Sequence, residues 1–97
     1  IRVGKVISVE KIPDADKLLK LEVDIGTEKR TILAGIKKYY PKDSLIGKQI
    51  IVIVNLEPRK MKGLESQGML LAAGSKEEDT CVLISPEKPV KNGNKIS

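Results

Sequence analysis

The most chemically suggestive stretch of the chain is NLEPRKMKGLESQGMLLAA, between Asn55 and Ala73. Three cations, Arg59, Lys60 and Lys62, lie within a span of four residues. Ammonium and guanidinium groups at this density are suited to binding phosphate, and an arginine can donate two parallel hydrogen bonds to one phosphate group. The simpler interpretation is a solvated loop between two strands, which is the usual state of such a cluster.

Neutral groups flank these cations. Asn55 and Ser66 offer hydrogen bonds, and Gly63 and Gly68 allow a ligand to approach the backbone closely. Each has an ordinary structural alternative as well, because Asn at a strand end commonly forms a turn and Ser commonly satisfies turn backbone. Two methionines lie in the same stretch. We expect Met61 to pack beneath the loop, and Met69, which opens a strand, to lie in the core or at its rim.

Catalysis is disfavoured by composition. The chain has no His and a single Cys81, which removes Ser/His and Cys/His nucleophilic pairs and the common zinc ligand sets. Asp14 and Asp16, in the sequence PDAD, are typical of a turn and a helix cap rather than of a metal site. We therefore predict no catalytic residue, no metal and no cofactor. The lone cysteine also favours a reducing compartment, the cytoplasm.

The partner suggested by composition is anionic. Eighteen Lys and Arg residues against 13 Asp and Glu give a net charge of +5. The only aromatic residues are the adjacent Tyr39 and Tyr40, too few for a base-stacking groove of the kind that grips single strands. The remaining possibility is an anionic ligand recognised through its phosphates and its shape, as folded RNA often is. No apolar run approaches the roughly 20 residues of a membrane span.

The elements that position these residues read as strands. VGKVISVEKI predicts a first strand, with Gly4 as a bulge or bend, and LLKLEVDIG alternates apolar and polar residues as a half-buried second strand does. KRTILAGI predicts a third strand, so that the first three form a meander. KKYYPKDSLIG breaks the alternation and predicts a short helix interrupted by Pro41.

The second half continues with strands in KQIIVIVNL, GMLLAAG and TCVLISP, followed by a Pro- and Gly-rich tail that we expect to wrap the surface. The unbroken apolar run Ile50 to Val54 indicates burial on both faces of its strand. Together these elements predict an all-β protein, an OB-fold five-stranded barrel with a short helix between strands 3 and 4 and a C-terminal extension. We predict one domain over residues 1–97, with the barrel core in 1–74 and the extension in 75–97.

Three segments, IRVGKV, DADKLLKLEVDIG and AGIKKYYPKDSLIGKQIIVIVNLEPRKMKGLESQGMLLAA, closely resemble the tRNA-binding domain appended to methionyl-tRNA synthetases. The same domain occurs in free-standing tRNA-binding proteins and in synthetase-associated factors. The resemblance covers nearly the whole chain and is most specific in NLEPRKMKGLESQGMLLAA. Ala34 departs from it, because Ser is common at that position, and this puts one polar contact in doubt.

The resemblance implies an OB-fold that binds tRNA with little sequence preference, through the outer corner of the L, and performs no catalysis itself. It also implies a homodimer whose C-terminal strands contribute to the interface, and assistance to a methionyl-tRNA synthetase in aminoacylation. Carried onto this chain, the RNA-binding residues are Asn55, Arg59, Lys60, Lys62, Ser66 and Met69, with Arg30 and Lys17 as weaker additions.

Two other functions stay open at this point. A protein-interaction module of a synthetase complex would dock through the apolar tail or the KKYYP segment. A single-strand nucleic-acid binder would prefer an oligonucleotide to folded tRNA. The sequence also leaves open whether a catalytic domain precedes Ile1.

Overall fold

The structure is a computed structural model that describes residues 1–13, 17–61, 63–75 and 77–96. Three residues singled out above, Asp14, Asp16 and Lys62, lie outside the described residues, as does the side chain of Met61. The turn predicted at PDAD and the packing predicted for Met61 therefore stay predictions. In the described part, no helix is long and apolar enough to cross a membrane.

The described chain is all-β and contains nine strands. They are β1 Arg2–Lys11, β2 Leu19–Asp24, β3 Lys29–Ala34, β4 Gln49–Ile53, β5 Arg59–Met61, β6 Leu64–Ser66, β7 Met69–Leu70, β8 Ala72–Ser75 and β9 Thr80–Leu83. Five of them form an antiparallel sheet in the order β3-β2-β1-β4-β7, which confirms the predicted meander of the first three. This sheet curls into a half-barrel of the OB type, as the sequence predicts.

The core forms where the sequence patterns place it. In β2 the alternate residues Leu19, Leu21 and Val23 are fully buried, as expected for a strand with one face inward. In β4 the consecutive residues Ile50–Val52 are all buried, which confirms burial on both faces. The residues that flank the hairpin of β8 and β9, Leu71 and Ile84, pair with β4 at Ile51. Leu71 donates its amide to the Ile51 carbonyl at 3.1 Å, and Ile51 donates to Ile84 at 3.1 Å.

The half-barrel is closed by the segment that follows β6. β3 is an edge strand, so its outward amides and carbonyls need partners. The Gln67 amide donates to the Thr31 carbonyl at 2.8 Å, and the Gln67 side-chain Oε1 accepts from the Thr31 amide at 3.0 Å. Ser66 Oγ accepts from the Leu33 amide at 3.1 Å. One short segment therefore satisfies the exposed edge of β3.

The prediction of a short helix between strands 3 and 4 is wrong. In the described residues a single 3-10 turn, Lys42–Ser44, stands there, and no α-helix forms. Pro41 precedes it and has no amide hydrogen, while Gly47 stops it with a φ of 88°. Between these two residues there is too little chain for the hydrogen-bonded turns that make a helix stable.

The bulge predicted at Gly4 is also misplaced. The register between β1 and β2 shifts between Val6 and Ser8 instead. Gly4 is buried within β1, and a Cβ at this position would lie 2.5 Å from Cγ1 of Val23 and 3.3 Å from Cγ2 of Val52. The glycine is therefore required by close packing of the core rather than by the pairing of the strands.

The C-terminal tail runs beside the start of β1, in agreement with the expected wrapping of the surface. Val3 donates its amide to Asn94 at 2.9 Å, and Gly93 donates to Val3 at 2.6 Å. The division predicted at residues 74 and 75 falls inside β8, which pairs with β9 along its full length. The assignment of residues 75–97 as a separate extension stays a prediction.

Replacing Gly4 with Ala should destabilise the fold by about 1–3 kcal/mol, because the new methyl group overpacks against the fully buried Val23. Urea unfolding followed by circular dichroism measures the difference. Gly35→Ala is the matched control, since a Cβ there meets nothing closer than 4.0 Å. Equal midpoints for the two variants would contradict the packing argument.

Candidate nucleic-acid interface

The cationic stretch is itself a small β-hairpin. Arg59 pairs with Ser66, and Lys60 pairs with Glu65, in the antiparallel register of β5 and β6. Gly63 lies in the turn with a φ of 78°, a conformation that glycine adopts without strain. We call β5, the turn and β6 the basic hairpin. Its strands are only three residues long and poor in β-branched residues, so their pattern did not reveal them.

The base of the basic hairpin is anchored in the barrel. Leu64 packs against a small apolar cluster formed by Ile12, Leu33 and Leu18. Ser66 is only 2% exposed, and its hydroxyl accepts from Leu33 and donates to the Gly68 carbonyl at 2.9 Å. These contacts fix the orientation of the hairpin on β3. Ser66 thus supports the backbone, the alternative that the sequence left open, and its contact with RNA stays a prediction.

The cations of the basic hairpin point to solvent. Arg59 and Lys60 are exposed. The ion pairs in the described part of the chain are Lys20–Glu10, Arg30–Glu28 and Lys38–Asp79, so neither hairpin cation is neutralised there by a carboxylate. Glu65 lies opposite Lys60 in the hairpin. Arg59 pairs with Ser66, so it is the cation that a phosphate group would meet without a carboxylate directly across from it. Lys62 lies between these residues and the turn in sequence, outside the described residues.

Arg30 ties three segments together beside the hairpin. Its guanidinium contacts Glu28 at 2.7 Å and donates to the carbonyls of Val54 at 2.5 Å and Gln67 at 3.1 Å. This side chain is half-buried and positions the end of β4 and the closing segment, and its contact with RNA stays a prediction. Sequence reasoning missed the Glu28–Arg30 pair, because Glu28 lies just before β3 and the pair follows no strand pattern.

Asn55 is exposed where the chain leaves β4 toward the hairpin. It borders a recess of about 490 Å³ whose walls include Arg30, Leu56, Glu57 and Gln67. We call this the hairpin recess. The structure thus brings Asn55 and Arg30 together beside the segment that leads into the basic hairpin.

The remaining predicted RNA-binding residues, Met69 and Lys17, lie outside the basic hairpin. Met69 is half-buried in β7, opposite Ile53, as expected for a rim residue. Lys17 is exposed, and it immediately precedes Leu18, which packs in the apolar cluster under the hairpin. Its carbonyl accepts from the Lys37 amide at 3.2 Å, so its backbone lies beside the connection between β3 and β4.

Neither tyrosine can stack bases at the hairpin. The Tyr40 ring packs on the core and its hydroxyl accepts from the Leu83 amide at 3.0 Å. The Tyr39 hydroxyl donates to Asp79 at 3.0 Å, and this bond raises the pKa of the Tyr39 phenol. The hydrogen bonds from Lys38 and Tyr39 lower the pKa of Asp79, so its carboxylate is ionised at neutral pH and holds the β8–β9 turn to the Tyr39 segment.

The described residues contain no group of three or more His, Cys, Asp or Glu side chains that could hold a metal ion. What the surface offers is a rigid platform of exposed cations, amide groups and close backbone. A half-barrel of the OB type with such a platform is typical of the class of nucleic-acid-binding modules.

The chain belongs to the family described as "Putative tRNA binding domain", whose model matches residues 1–95. It is 50% identical over 96 residues to the methionine--tRNA ligase of Thermococcus onnurineus, an alignment that covers 99% of this chain and 13% of that protein. This chain thus spans about an eighth of the length of that relative. The family is one of binding domains, in agreement with the prediction that the chain is not an enzyme.

Solved structures agree with this family assignment. A MetRS related protein from Pyrococcus horikoshii superposes with a TM-score of 0.91 at 43% identity, covering 99% of this chain and 87% of that one. The chaperone CsaA of Bacillus anthracis superposes with a TM-score of 0.87 at 35% identity, covering 99% and 88%. The predicted family and the predicted fold class are both confirmed.

Ser66→Ala should lower the free energy of unfolding by about 1–3 kcal/mol, because it leaves the buried Leu33 amide without its acceptor. The variant should still bind RNA at temperatures well below its melting point. Thermal melting measures the loss, with Ser85→Ala, an exposed serine, as the control. A variant with an unchanged melting point but reduced RNA affinity would show that the Ser66 hydroxyl contacts the ligand instead.

Proposed function

We propose that this domain binds tRNA through its phosphates and its folded shape, with little preference for sequence. The observation that carries the proposal is the basic hairpin, an exposed cationic element anchored rigidly on the barrel of a chain from a tRNA-binding family. Phosphate contacts fix the position of a protein on a nucleic acid without reading its bases, which is why sequence preference would be low.

The lack of stacking groups supports recognition of folded RNA over a flexible single strand. Base–aromatic stacking provides about 1–3 kcal/mol per base in single-strand binders. Both tyrosines of this chain are occupied elsewhere, Tyr40 in the core and Tyr39 with Asp79. A folded RNA presents its phosphates already fixed in space, so a rigid set of cations can match them without ordering the ligand.

The proposed contacts fall into two groups. Arg59, Lys60 and Lys62 would bind phosphates, and Asn55 and Met69 would contact the RNA beside them. Lys17 would add charge at the margin. Arg30 and Ser66 would act differently, and their hydrogen bonds to the end of β4 and to β3 support a role in holding this surface in position.

We further propose that the domain assists aminoacylation in the cytoplasm by a methionyl-tRNA synthetase, either attached to it or associated with it. A tRNA held by the domain would be at raised effective concentration for a linked catalytic site. The identity to methionine--tRNA ligases and the small share of their length that this chain covers support this arrangement.

A homodimer, which the family resemblance implies, and a protein-docking role are both proposed for the C-terminal side. Three apolar side chains on this side, Val82, Ile84 and Val90, are exposed at 57, 41 and 40%. Such a group is typical of a surface that another protein covers. The similarity to CsaA, a chaperone by its description, favours the docking role as the second candidate function.

Arg59→Gln/Lys60→Gln should weaken binding of intact tRNA at least tenfold at low salt, since two phosphate contacts are lost. The slope of log affinity against log salt should become shallower by about 1.5 units, at roughly 0.7–0.9 per contact. Filter binding across a salt series measures both quantities. Light scattering in the same buffer gives the mass and tests the dimer.

The matched control is Lys5→Gln/Lys48→Gln, which removes the same charge from exposed positions on another side of the barrel, bordering a separate cleft. Equal affinity and slope for this control and the hairpin variant would exclude the hairpin as the binding site. If this domain captures a defined synthetase in a pull-down after nuclease treatment but has no affinity for tRNA, the docking role would be favoured.

A further inference from the structure

We propose that a second cationic group, formed by Arg2, Lys91 and Lys95, is a separate phosphate-binding region of the same RNA interface. We call it the terminal cluster. The proposal rests on the proposed function, because it assigns the same class of ligand, a folded RNA, to a surface beyond the basic hairpin.

The terminal cluster brings like charges together. Arg2 and Lys95 are direct partners in an antiparallel β-bridge. Side chains of directly opposed residues lie on the same face, with Cβ atoms roughly 4.5–5.5 Å apart, and like charges in this arrangement repel. None of the ion pairs in the described ranges includes Arg2, Lys91 or Lys95. A phosphate bound between the cations would relieve this repulsion.

The backbone that carries the cluster is fixed to the barrel. Ile96 donates its amide to Ile1 at 3.0 Å, and Arg2 Nη1 donates to the Gly93 carbonyl at 3.3 Å. Gly26 and Gly93 pack so closely that a Cβ on either would collide with backbone of the other segment. The tail is therefore locked between β1 and the β2–β3 turn, and its cations are held in place for a ligand.

Two adjoining recesses lead from the terminal cluster toward the segment between β4 and the basic hairpin. A recess of about 500 Å³ has Arg2, Lys91 and Asn92 in its walls. This terminal recess shares Arg30 and Val54 with the hairpin recess, so the two adjoin at the Arg30 side chain. A polyanion lying along both recesses would meet Arg2 and Lys91 at one end and would run toward the start of the basic hairpin at the other.

The carboxylate among the described residues of the terminal recess is Glu28, and its ion pair with Arg30 at 2.7 Å offsets its charge. The hairpin recess adds the carboxylate of Glu57, so the terminal recess is the better phosphate site of the two. Among the described residues that line the terminal recess there is no aromatic side chain, whereas amides are present in Asn92 and Asn94. The chemistry thus fits a phosphodiester backbone rather than a stacked base.

The test is binding of intact tRNA by Lys91→Gln/Lys95→Gln across a salt series. Both side chains are exposed, and the change removes the repulsion between Lys95 and Arg2, so the variant should melt at or slightly above the temperature of the parent chain. We expect roughly tenfold weaker binding at low salt and a salt slope shallower by about 1.5 units, as for two lost phosphate contacts. Arg2→Lys, which keeps the charge, should bind like the parent.

The control is Lys11→Gln/Lys20→Gln, which makes the same change in net charge at residues that line neither recess and do not share a cleft with Lys91. A loss confined to Lys91→Gln/Lys95→Gln supports the terminal cluster. Equal, small losses in both double variants, while the parent binds tRNA and the hairpin variant does not, would overturn the terminal cluster and leave the proposed function standing. A parent chain that fails to bind tRNA would overturn the proposed function itself.

Discussion

The closure of the half-barrel by Ser66 and Gln67 is the interaction on which the rest of the surface depends. These two residues supply hydrogen-bond partners to Thr31 and Leu33, the edge of β3 that the five-stranded sheet leaves open. A buried amide without a partner costs about 1–3 kcal/mol, so the closing segment is held firmly. Because Ser66 is also the last residue of the basic hairpin, the same bonds that complete the fold set the direction of the cations.

This arrangement explains how a chain of 97 residues can present charge without losing its core. The apolar residues of β1, β2 and β4 fill the interior, and the cations lie on short elements outside it. Arg30 connects the barrel to the outer elements, since it donates hydrogen bonds both to the end of β4 and to the closing segment. A rigid surface of this kind favours a ligand that is itself preformed, because neither partner must be ordered on binding.

Much of the fold could be predicted from periodicity, and the failures have physical causes. Alternation in Leu19–Asp24 and the apolar run Ile50–Val54 located β2 and β4, since burial on one or both faces dictates those patterns. The helix expected near Pro41 did not form because the segment is too short to be stable in isolation. Gly4 was misread because a glycine required by a neighbouring Val23 looks, in sequence, like a glycine required by a bulge.

The cations of the candidate site could be predicted from the sequence, but the contacts that hold them in position could not. Arg59 and Lys60 could be found from their density, since exposed cations need no partner to be recognised in a sequence. The roles of Ser66, Gln67 and Glu28 depend on contacts between residues distant in sequence, and a pattern of residue types does not encode those. The terminal cluster was missed for the same reason, because Arg2 and Lys95 lie at opposite ends of the chain.

The most direct test compares intact tRNA with an RNA of equal length and charge whose substitutions prevent it from folding. Affinities for both are measured across one salt series. Recognition of shape predicts clearly tighter binding of the folded RNA at every salt concentration, with strong salt dependence for both ligands. Equal affinities, or a preference for the unfolded RNA, would contradict the claim that this surface reads the phosphates of a folded tRNA.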